Sequence, residues 1–169
     1  GGDLWWDLDN AKYEIPKGSG KHSIFAGSIM IGGVDETGNL KMAALTHRDE
    51  GTDFWAGPID RNTISTTSDI CEEYNKHYKL NKKDIEEYVT AFIAGESPTV
   101  PPSMQNYPAH GDIGSGHDYY LAPFFDSDSN GTYEPSKGDY PAFDLGGNNE
   151  RYANGKLRGD QNIWWVFND

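Results

Sequence analysis

The sequence predicts a mainly β, sandwich-like domain with one or two α-helices inserted around residues 68–94. Glycine (20 residues), proline (9) and aromatic residues (13%) are abundant, as in chains whose strands are short and joined by many turns. The stretch around 68–94 instead carries apolar residues at helical spacing. With 169 residues the chain has the size of one domain, so we expect a single domain over 1–169.

The first strands are expected near the start of the chain. Side chains in 4–8 alternate between two faces, as in a half-buried strand. Residues 23–34 are apolar on both faces, which predicts a covered central strand. The segment 35–39, with Gly38 available for a positive φ, predicts a hairpin turn that leads into a partner strand over 40–46.

Two helices are expected next, over 68–78 and 81–94. Asn81 is in the N-cap position of the second helix, Asp84 follows as a capping-box partner, and Gly95 ends the helix. Apolar residues recur there at three- and four-residue spacing: Ile85, Tyr88, Val89, Phe92 and Ile93. This helix is therefore predicted to lay one apolar stripe on the core.

The charge balance excludes some partners and favours others. Fourteen basic and 27 acidic residues give a formal charge of −13, which argues against nucleic acid and anionic lipid as ligands. The acidic excess suits an extracellular protein that binds cations. No apolar run reaches the length of a membrane span, and the single cysteine, Cys71, excludes an internal disulfide.

Residues 126–139 have the pattern of a calcium-binding loop. Oxygen-bearing side chains occupy its first, third and fifth positions: Asp126, Asp128 and Asn130. Gly131 is at the sixth position, where such a loop turns sharply, and Thr132 at the seventh can offer its backbone carbonyl. The twelfth position is Lys137 instead of the bidentate glutamate of an EF-hand, so we expect Asp139 to close the site. The sequence therefore predicts Ca²⁺ as the cofactor.

Several motifs stand in order along the chain: GGDLWWD (1–7), KYEIPKGSGKHS (12–23), AGSIMIGGVD (26–35), DFWAGP (53–58), YPAHGD (107–112), GDYP (138–141) and GDQNIWWVFND (159–169). Together they resemble the N-terminal region of large bacterial cell-surface proteins exported by the type IX secretion system. In such sequences the metal loop often reads Asp-x-Asn-x-Asp-Gly, and here Asp128 and Asn130 exchange two oxygen donors. The resemblance implies a secreted, surface-attached protein and supplies no catalytic residues.

The tryptophans suggest a second kind of ligand, because sugars stack their apolar faces on indole rings. Adjacent residues of a strand point to opposite faces, so neither tryptophan pair makes one flat platform, and 163–167 is predicted to be a buried strand. Trp5 is the exception, since Asp7 and Asp9 share its side of the strand, and Trp55 precedes a Gly-Pro turn. Trp5 and Trp55 are therefore the candidate ligand-facing aromatics.

Other polar residues leave alternatives open. His110, Asp112, His117 and Asp118 are close in sequence and could complete the calcium site or form a second metal site. Zinc is disfavoured because neither a His-x-x-x-His spacing nor a cysteine pair occurs. Asp49, Glu50 and Asp53 could form a glycosidase-like carboxylate pair, but an acidic chain offers such pairs by chance. No catalytic constellation is found, so we expect a protein that is not an enzyme.

We therefore expect a non-catalytic, calcium-stabilised structural or adhesion module of a secreted or surface-attached bacterial protein. The chain begins at Gly1 instead of methionine and stops inside a predicted strand, so we expect it to be a fragment or processed piece of a longer extracellular protein. Its expected partners are other protein chains or other domains of the same protein, in a surface or filament assembly. The alternative is a carbohydrate-binding or polysaccharide-degrading module, with glycans as partners.

Overall fold

The structure is a computed structural model that describes residues 6–7, 10–11, 13–24, 29–44, 54–142 and 159–168. The chain divides into two compact units: unit 1 comprises Gly1–Ala56 and Phe167–Asp169, and unit 2 comprises Gly57–Val166. The chain therefore passes from one unit to the other at 56–57 and returns at 166–167. The expectation of a single domain over 1–169 stays a prediction.

The described part of unit 1 consists of four antiparallel two-stranded sheets. In chain order the strands are β1 (Trp6–Asp7), β2 (Asn10–Ala11), β3 (Tyr13–Glu14), β4 (His22–Ile24), β5 (Met30–Val34), β6 (Leu40–Ala44) and β7 (Trp55–Ala56), and β12 (Phe167–Asn168) completes the unit. The pairs are β1–β2, β3–β4, β5–β6 and β7–β12. All of these strands are short, as expected for a chain rich in glycine and proline.

The hairpin of β5 and β6 has the predicted turn. Its register runs from Met30 opposite Ala44 to Val34 opposite Leu40. Between the strands, the Asp35 carboxylate accepts hydrogen bonds from the Thr37 hydroxyl (2.7 Å) and from the backbone N–H groups of Thr37 and Asn39 (both 2.9 Å). These hydrogen bonds lower the pKa of Asp35, because they stabilise its charged form. The bond from the Thr37 hydroxyl has the largest effect.

The expectation that this strand is covered on both faces is wrong. Every residue of β5 is exposed, and Met30 and Met42 are 74% and 69% exposed. Within the described residues β5 pairs with β6 and with no other strand. Apolar side chains on both faces of a strand predict burial only when neighbouring layers are present to provide it.

Unit 2 contains three α-helices and four short strands in its described part. They are α1 (Ser68–Tyr74), β8 (Tyr78–Asn81), α2 (Lys82–Ile93), α3 (Pro102–Gln105), β9 (Phe124–Phe125), β10 (Tyr140–Pro141) and β11 (Gln161–Trp164). Single 3₁₀ turns lie at Ile113–Ser115 and Pro135–Lys137. Strand β8 pairs with β11, and β9 with β10, both antiparallel. None of the described helices is long and apolar enough to cross a membrane.

The mainly β prediction is confirmed in its coarse form, since short strands predominate, helices are few, and the described residues form no closed barrel. Two helices lie in the predicted interval 68–94. The first ends at Tyr74, and Tyr78 begins a strand instead of continuing the helix. A third helix, α3, was not predicted, although Pro102 stands at its first turn, where proline suits a helix.

Helix α2 begins and ends close to the predicted bounds. Asn81 is its N-cap residue, but the Asn81 side chain donates to Asp84 (3.0 Å) and accepts from Gln161 (2.9 Å) instead of capping a backbone N–H. Gln161 pairs with Asn81 in the β8–β11 ladder. Asn81 therefore belongs both to the sheet and to the start of the helix. The helix therefore starts at a point fixed by strand pairing.

The core of unit 2 lies beneath α2, β8 and β9. Its buried members are Leu80, Ile85, Tyr88, Met104, Tyr107, Ala109, Ala122 and Phe124. Burying one large apolar side chain stabilises the folded state by about 1.5–3 kcal/mol, so this cluster is the main source of stability in the unit. Phe124, on β9, is fully buried and stands two residues before the predicted calcium loop.

Candidate metal centre

The segment 126–139 connects β9 to β10. In this hairpin Phe125 is opposite Tyr140, and Phe124 is opposite Pro141. The next pair in the same register is Asp126 and Asp139, the first and last residues of the loop. Phe124 and Pro141 are both fully buried, so the core holds the two ends of the loop together. Strand pairing thus brings the closing aspartate into place without the flanking helices of an EF-hand.

Three predicted ligands converge at this position. One carboxylate oxygen from each of Asp126, Asp128 and Asp139 lies within 4.8 Å of the others, the one such acidic or histidine cluster among the described residues. Two oxygens on one Ca²⁺ can be at most about 5.2 Å apart, because Ca–O distances are 2.3–2.6 Å. The three carboxylates are therefore close enough together to share one metal ion, and carboxylate oxygens are ligands for hard cations.

Asp139 is fully buried and forms the base of the loop. Its Oδ1 accepts hydrogen bonds from the Ser127 backbone N–H and the Ser127 hydroxyl, both at 2.9 Å. Its Oδ2 accepts from the Glu134 N–H at 2.8 Å. A buried carboxylate requires such donors, and here they come from both halves of the loop. Asp139 thus ties the loop together as well as facing the other two carboxylates.

The sixth position makes the predicted sharp turn. Gly131 has φ +79°, a conformation that costs other residues about 1–2 kcal/mol. Its N–H donates to Asp126 Oδ2 at 2.7 Å, and the neighbouring Asn130 N–H donates to Asp126 Oδ1 at 3.2 Å. The turn therefore fixes the orientation of the first carboxylate of the loop.

Asn130 and Thr132 are engaged within the loop. The Asn130 side chain donates to Asp128 (2.9 Å) and Glu134 (3.0 Å), and its oxygen accepts from the Thr132 N–H (2.7 Å). The Thr132 hydroxyl is 3.1 Å from the Tyr119 hydroxyl. Asn130 contacts the Asp128 carboxylate, and the assignment of both residues as metal ligands stays a prediction.

Lys137 occupies the twelfth position and forms an ion pair. Its Nζ lies 2.7 Å from Glu134 Oε2. The Glu134 hydrogen bond raises the pKa of Lys137, with further electrostatic contributions from Asp128 and Asp139. Lys137 therefore counters part of the negative charge of the loop. Sequence reasoning did not assign a role to Glu134, whose three-residue spacing from Lys137 would have indicated this pair.

Helices α2 and α3 each accept or donate one hydrogen bond that holds the loop. The Tyr88 hydroxyl, on α2, donates to the Pro135 carbonyl at 2.6 Å. The Tyr133 hydroxyl donates to the Met104 carbonyl at 2.9 Å. Burial raises the pKa of both tyrosines, because their phenolate forms lose hydration there, so both remain hydroxyl donors at neutral pH. The loop is therefore fastened to the core of unit 2.

Of the four histidine and aspartate residues that the sequence singled out, His110, Asp112 and Asp118 make structural contacts. His110 bonds through both ring nitrogens, to Tyr119 O (3.0 Å) and to Tyr133 N (2.8 Å). Asp112 caps the 3₁₀ turn through Gly114 N (2.8 Å), and Asp118 pairs with Arg61 (2.8 Å). His117 is buried, and its Nδ1 has no hydrogen-bond partner. The structure brings none of these four residues into the carboxylate cluster.

The calcium-free protein should lose stability as the pH falls below about 6.5. The pKa of His110 is lowered from 6.5, mainly because burial disfavours the imidazolium. Below that pH the unfolded chain takes up a proton that the folded chain resists, so stability present above pH 6.5 is lost on acidification towards the lowered pKa. Urea unfolding between pH 7 and pH 5 measures this slope. His110→Gln cannot titrate there and should give a flatter profile; equal slopes would contradict the assignment.

Of the two candidate ligand-facing aromatics, the structure describes Trp55 and not Trp5. Trp55, on β7, is 52% exposed. Trp5 lies outside the described residues, as do Asp49, Glu50 and Asp53. This exposed ring offers one stacking contact to a sugar.

The chain matches no known protein family, no curated protein and no solved structure. A functional conclusion therefore depends on the chemistry of the site. That site is an oxygen-rich hairpin loop with three convergent carboxylates, anchored to the core of unit 2.

Proposed function

We propose that this chain is a non-catalytic, extracellular structural module that is stabilised by Ca²⁺. In this role it serves adhesion, or surface or filament assembly, in a secreted or surface-attached bacterial protein. The observation that carries the proposal is the convergence of Asp126, Asp128 and Asp139 within 4.8 Å. The ligand set would be these three carboxylates with Asn130 and the Thr132 carbonyl, and water would complete the six to eight oxygens that calcium takes.

The mechanism is stabilisation by charge neutralisation. Each pair of carboxylates at this separation repels by roughly 1–3 kcal/mol, depending on the local dielectric constant. A bound divalent cation replaces that repulsion with attraction. Because the unfolded chain does not hold the three carboxylates together, the binding free energy adds to the free energy of unfolding. The loop joins a hairpin that is packed on the core, so a bound ion would stabilise the whole of unit 2.

The geometry favours a static role over a calcium sensor. Sensor EF-hands place a helix on each side of the loop and change the angle between them when calcium binds. This loop is flanked by the paired strands β9 and β10. It is also bonded to Tyr88 on α2 and to Met104 on α3. Such a loop would hold a shape instead of switching between two.

The extracellular location and the partners are further parts of the proposal. The motif resemblance to type IX secreted proteins and the formal charge of −13 support them. Partners would be other protein chains or other domains of the same protein. The described strands form two-stranded pairs. A sandwich-like arrangement of these sheets is a further part of the proposal. The carbohydrate-binding alternative keeps one supporting observation, the half-exposed ring of Trp55, and stays a prediction.

Calcium should raise the melting temperature of the protein. At a calcium concentration 100 times Kd, binding adds about 2.7 kcal/mol to the free energy of unfolding. For a protein of this size that corresponds to a rise of about 5–11 °C in Tm. Differential scanning calorimetry in EDTA and in excess CaCl₂ measures the shift, and isothermal titration gives Kd.

Two substitutions serve as matched controls for this test. Asp128→Asn removes an exposed carboxylate of the cluster and should abolish most of the calcium-dependent shift. Asp160→Asn removes another exposed carboxylate that lies outside the loop, and should leave the shift intact. If wild-type protein melts at the same temperature in EDTA and in calcium, the proposed function is wrong.

A further inference from the structure

His110 has a defined tautomer, and this follows from its two partners. The backbone N–H of Tyr133 can only donate, so His110 Nε2, 2.8 Å away, must accept and carry no proton. The proton is then on Nδ1, which donates to the Tyr119 carbonyl at 3.0 Å. His110 is thus neutral in this arrangement, and its ring is fixed in orientation by a bond at each nitrogen.

The N–H that His110 holds belongs to the same peptide unit as the Thr132 carbonyl. A trans peptide is planar, with its N–H and C=O pointing in opposite directions. Fixing the Tyr133 N–H on His110 therefore fixes the direction of the Thr132 carbonyl, which points away from the imidazole. Thr132 is the seventh residue of the loop, the position at which a calcium loop contributes a backbone oxygen.

A second contact reaches the Thr132 side chain. The Tyr119 ring stacks on the His110 ring, with centroids 4.1 Å apart and planes 18° from parallel. Its hydroxyl is 3.1 Å from the Thr132 hydroxyl. Both side chains sit on a backbone ladder formed by Gly111 N–H to Tyr119 O (3.0 Å) and Leu121 N–H to Ala109 O (2.9 Å). The support is therefore rigid and lies outside the loop.

We propose that His110 is a positioning residue of the calcium loop, which orients the Thr132 carbonyl as a metal ligand, and that the Tyr119 hydroxyl assists it. The inference rests on the proposed calcium function and adds a residue that the loop sequence does not contain. His110 touches no ion. It acts through the peptide bond between Thr132 and Tyr133.

The test uses Tb³⁺, which substitutes for calcium at oxygen sites and whose luminescence lifetime in H₂O and D₂O counts the water molecules on the bound ion. His110→Phe keeps a ring for stacking but removes the acceptor for Tyr133 N–H. The variant should bind Tb³⁺ and Ca²⁺ about 10–100-fold more weakly, as is usual when a supporting residue is lost. Its bound Tb³⁺ should carry about one more water, because solvent replaces the freed carbonyl. A purely structural role for His110 would not change the hydration number.

Two further variants separate the outcomes. His110→Gln restores an acceptor and should return the hydration number towards that of wild type; this variant decides the question if His110→Phe fails to fold by circular dichroism. His77→Phe changes an exposed histidine outside the loop and should behave as wild type. Unchanged affinity and hydration in a folded His110→Phe protein overturn this proposal alone. Failure of the wild-type protein to bind either ion overturns the proposed function as well.

Discussion

Asp139→Asn is expected to destabilise the calcium-free protein by about 2–4 kcal/mol. The Asp139 carboxylate is fully buried and accepts three hydrogen bonds, two from Ser127 and one from Glu134 N–H. An amide of the same shape has one oxygen and one NH₂ group. Whichever way it is oriented, its NH₂ faces an N–H donor, so at least one partly buried donor loses its partner. Urea unfolding in EDTA measures the loss directly.

The matched control for this substitution is Asp128→Asn, which removes the same charge from the same cluster. Asp128 is exposed, so its loss relieves repulsion without leaving a buried donor unpaired. The control should change the calcium-free stability by less than about 1 kcal/mol, the usual limit for surface charges. Both variants should lose the calcium-dependent gain. Equal effects of the two substitutions in EDTA would show that burial of Asp139 contributes nothing to the loop.

Gly138→Ala is expected to cost about 2–5 kcal/mol, combining backbone strain with overpacking. Gly138 has φ +100°, where residues with a side chain are strained. A Cβ added there would lie 2.5 Å from Cε1 of Phe92, a helix α2 residue that packs against the core. Either the ring or the loop must move, and the loop ends one residue later at Asp139. Calcium affinity should therefore fall together with stability.

A control separates the strain at Gly138 from the clash. Gly95 also has a positive φ, +80°, but a Cβ added there meets nothing within 4 Å. Gly95→Ala should therefore cost only the backbone term, about 1–2 kcal/mol. Adding Phe92→Leu to Gly138→Ala should recover part of the difference, since the smaller side chain frees the space. If Gly138→Ala and Gly95→Ala cost the same, helix α2 does not constrain the end of the loop.

Local chemistry accounts for what the sequence predicted well. The turn at 35–39 depends on Asp35 and its near neighbours, and helix α2 depends on its own periodicity and on Gly95. The convergence of Asp126 and Asp128 is a property of short loop spacing. Asp139 was predicted as the closing residue, and the β9–β10 register explains why a residue thirteen positions on returns beside Asp126.

The features that sequence reasoning missed depend on contacts between distant parts of the chain. Tyr78 continues the helical spacing of α1, yet it forms a strand because Trp164 pairs with it from the far end of unit 2. His110 was weighed as a metal ligand, whereas its bond to Tyr133 spans 23 residues and makes it a support. The exposure of β5 likewise depends on whether other layers cover it. No local pattern in the sequence carries this information.

The attachment of unit 2 has a consequence for its modularity. Unit 2 begins at Gly57 and ends at Val166, and the Gly57 N–H donates to the Val166 carbonyl at 2.9 Å. The segment thus enters and leaves at one point, the geometry that tolerates circular permutation and insertion into a host protein. The loop and the residues that hold it, Tyr88, Met104, His110 and Tyr119, all lie within this segment. We therefore expect residues 57–166 to carry the candidate calcium site and its supports together when the segment is transplanted into a host protein.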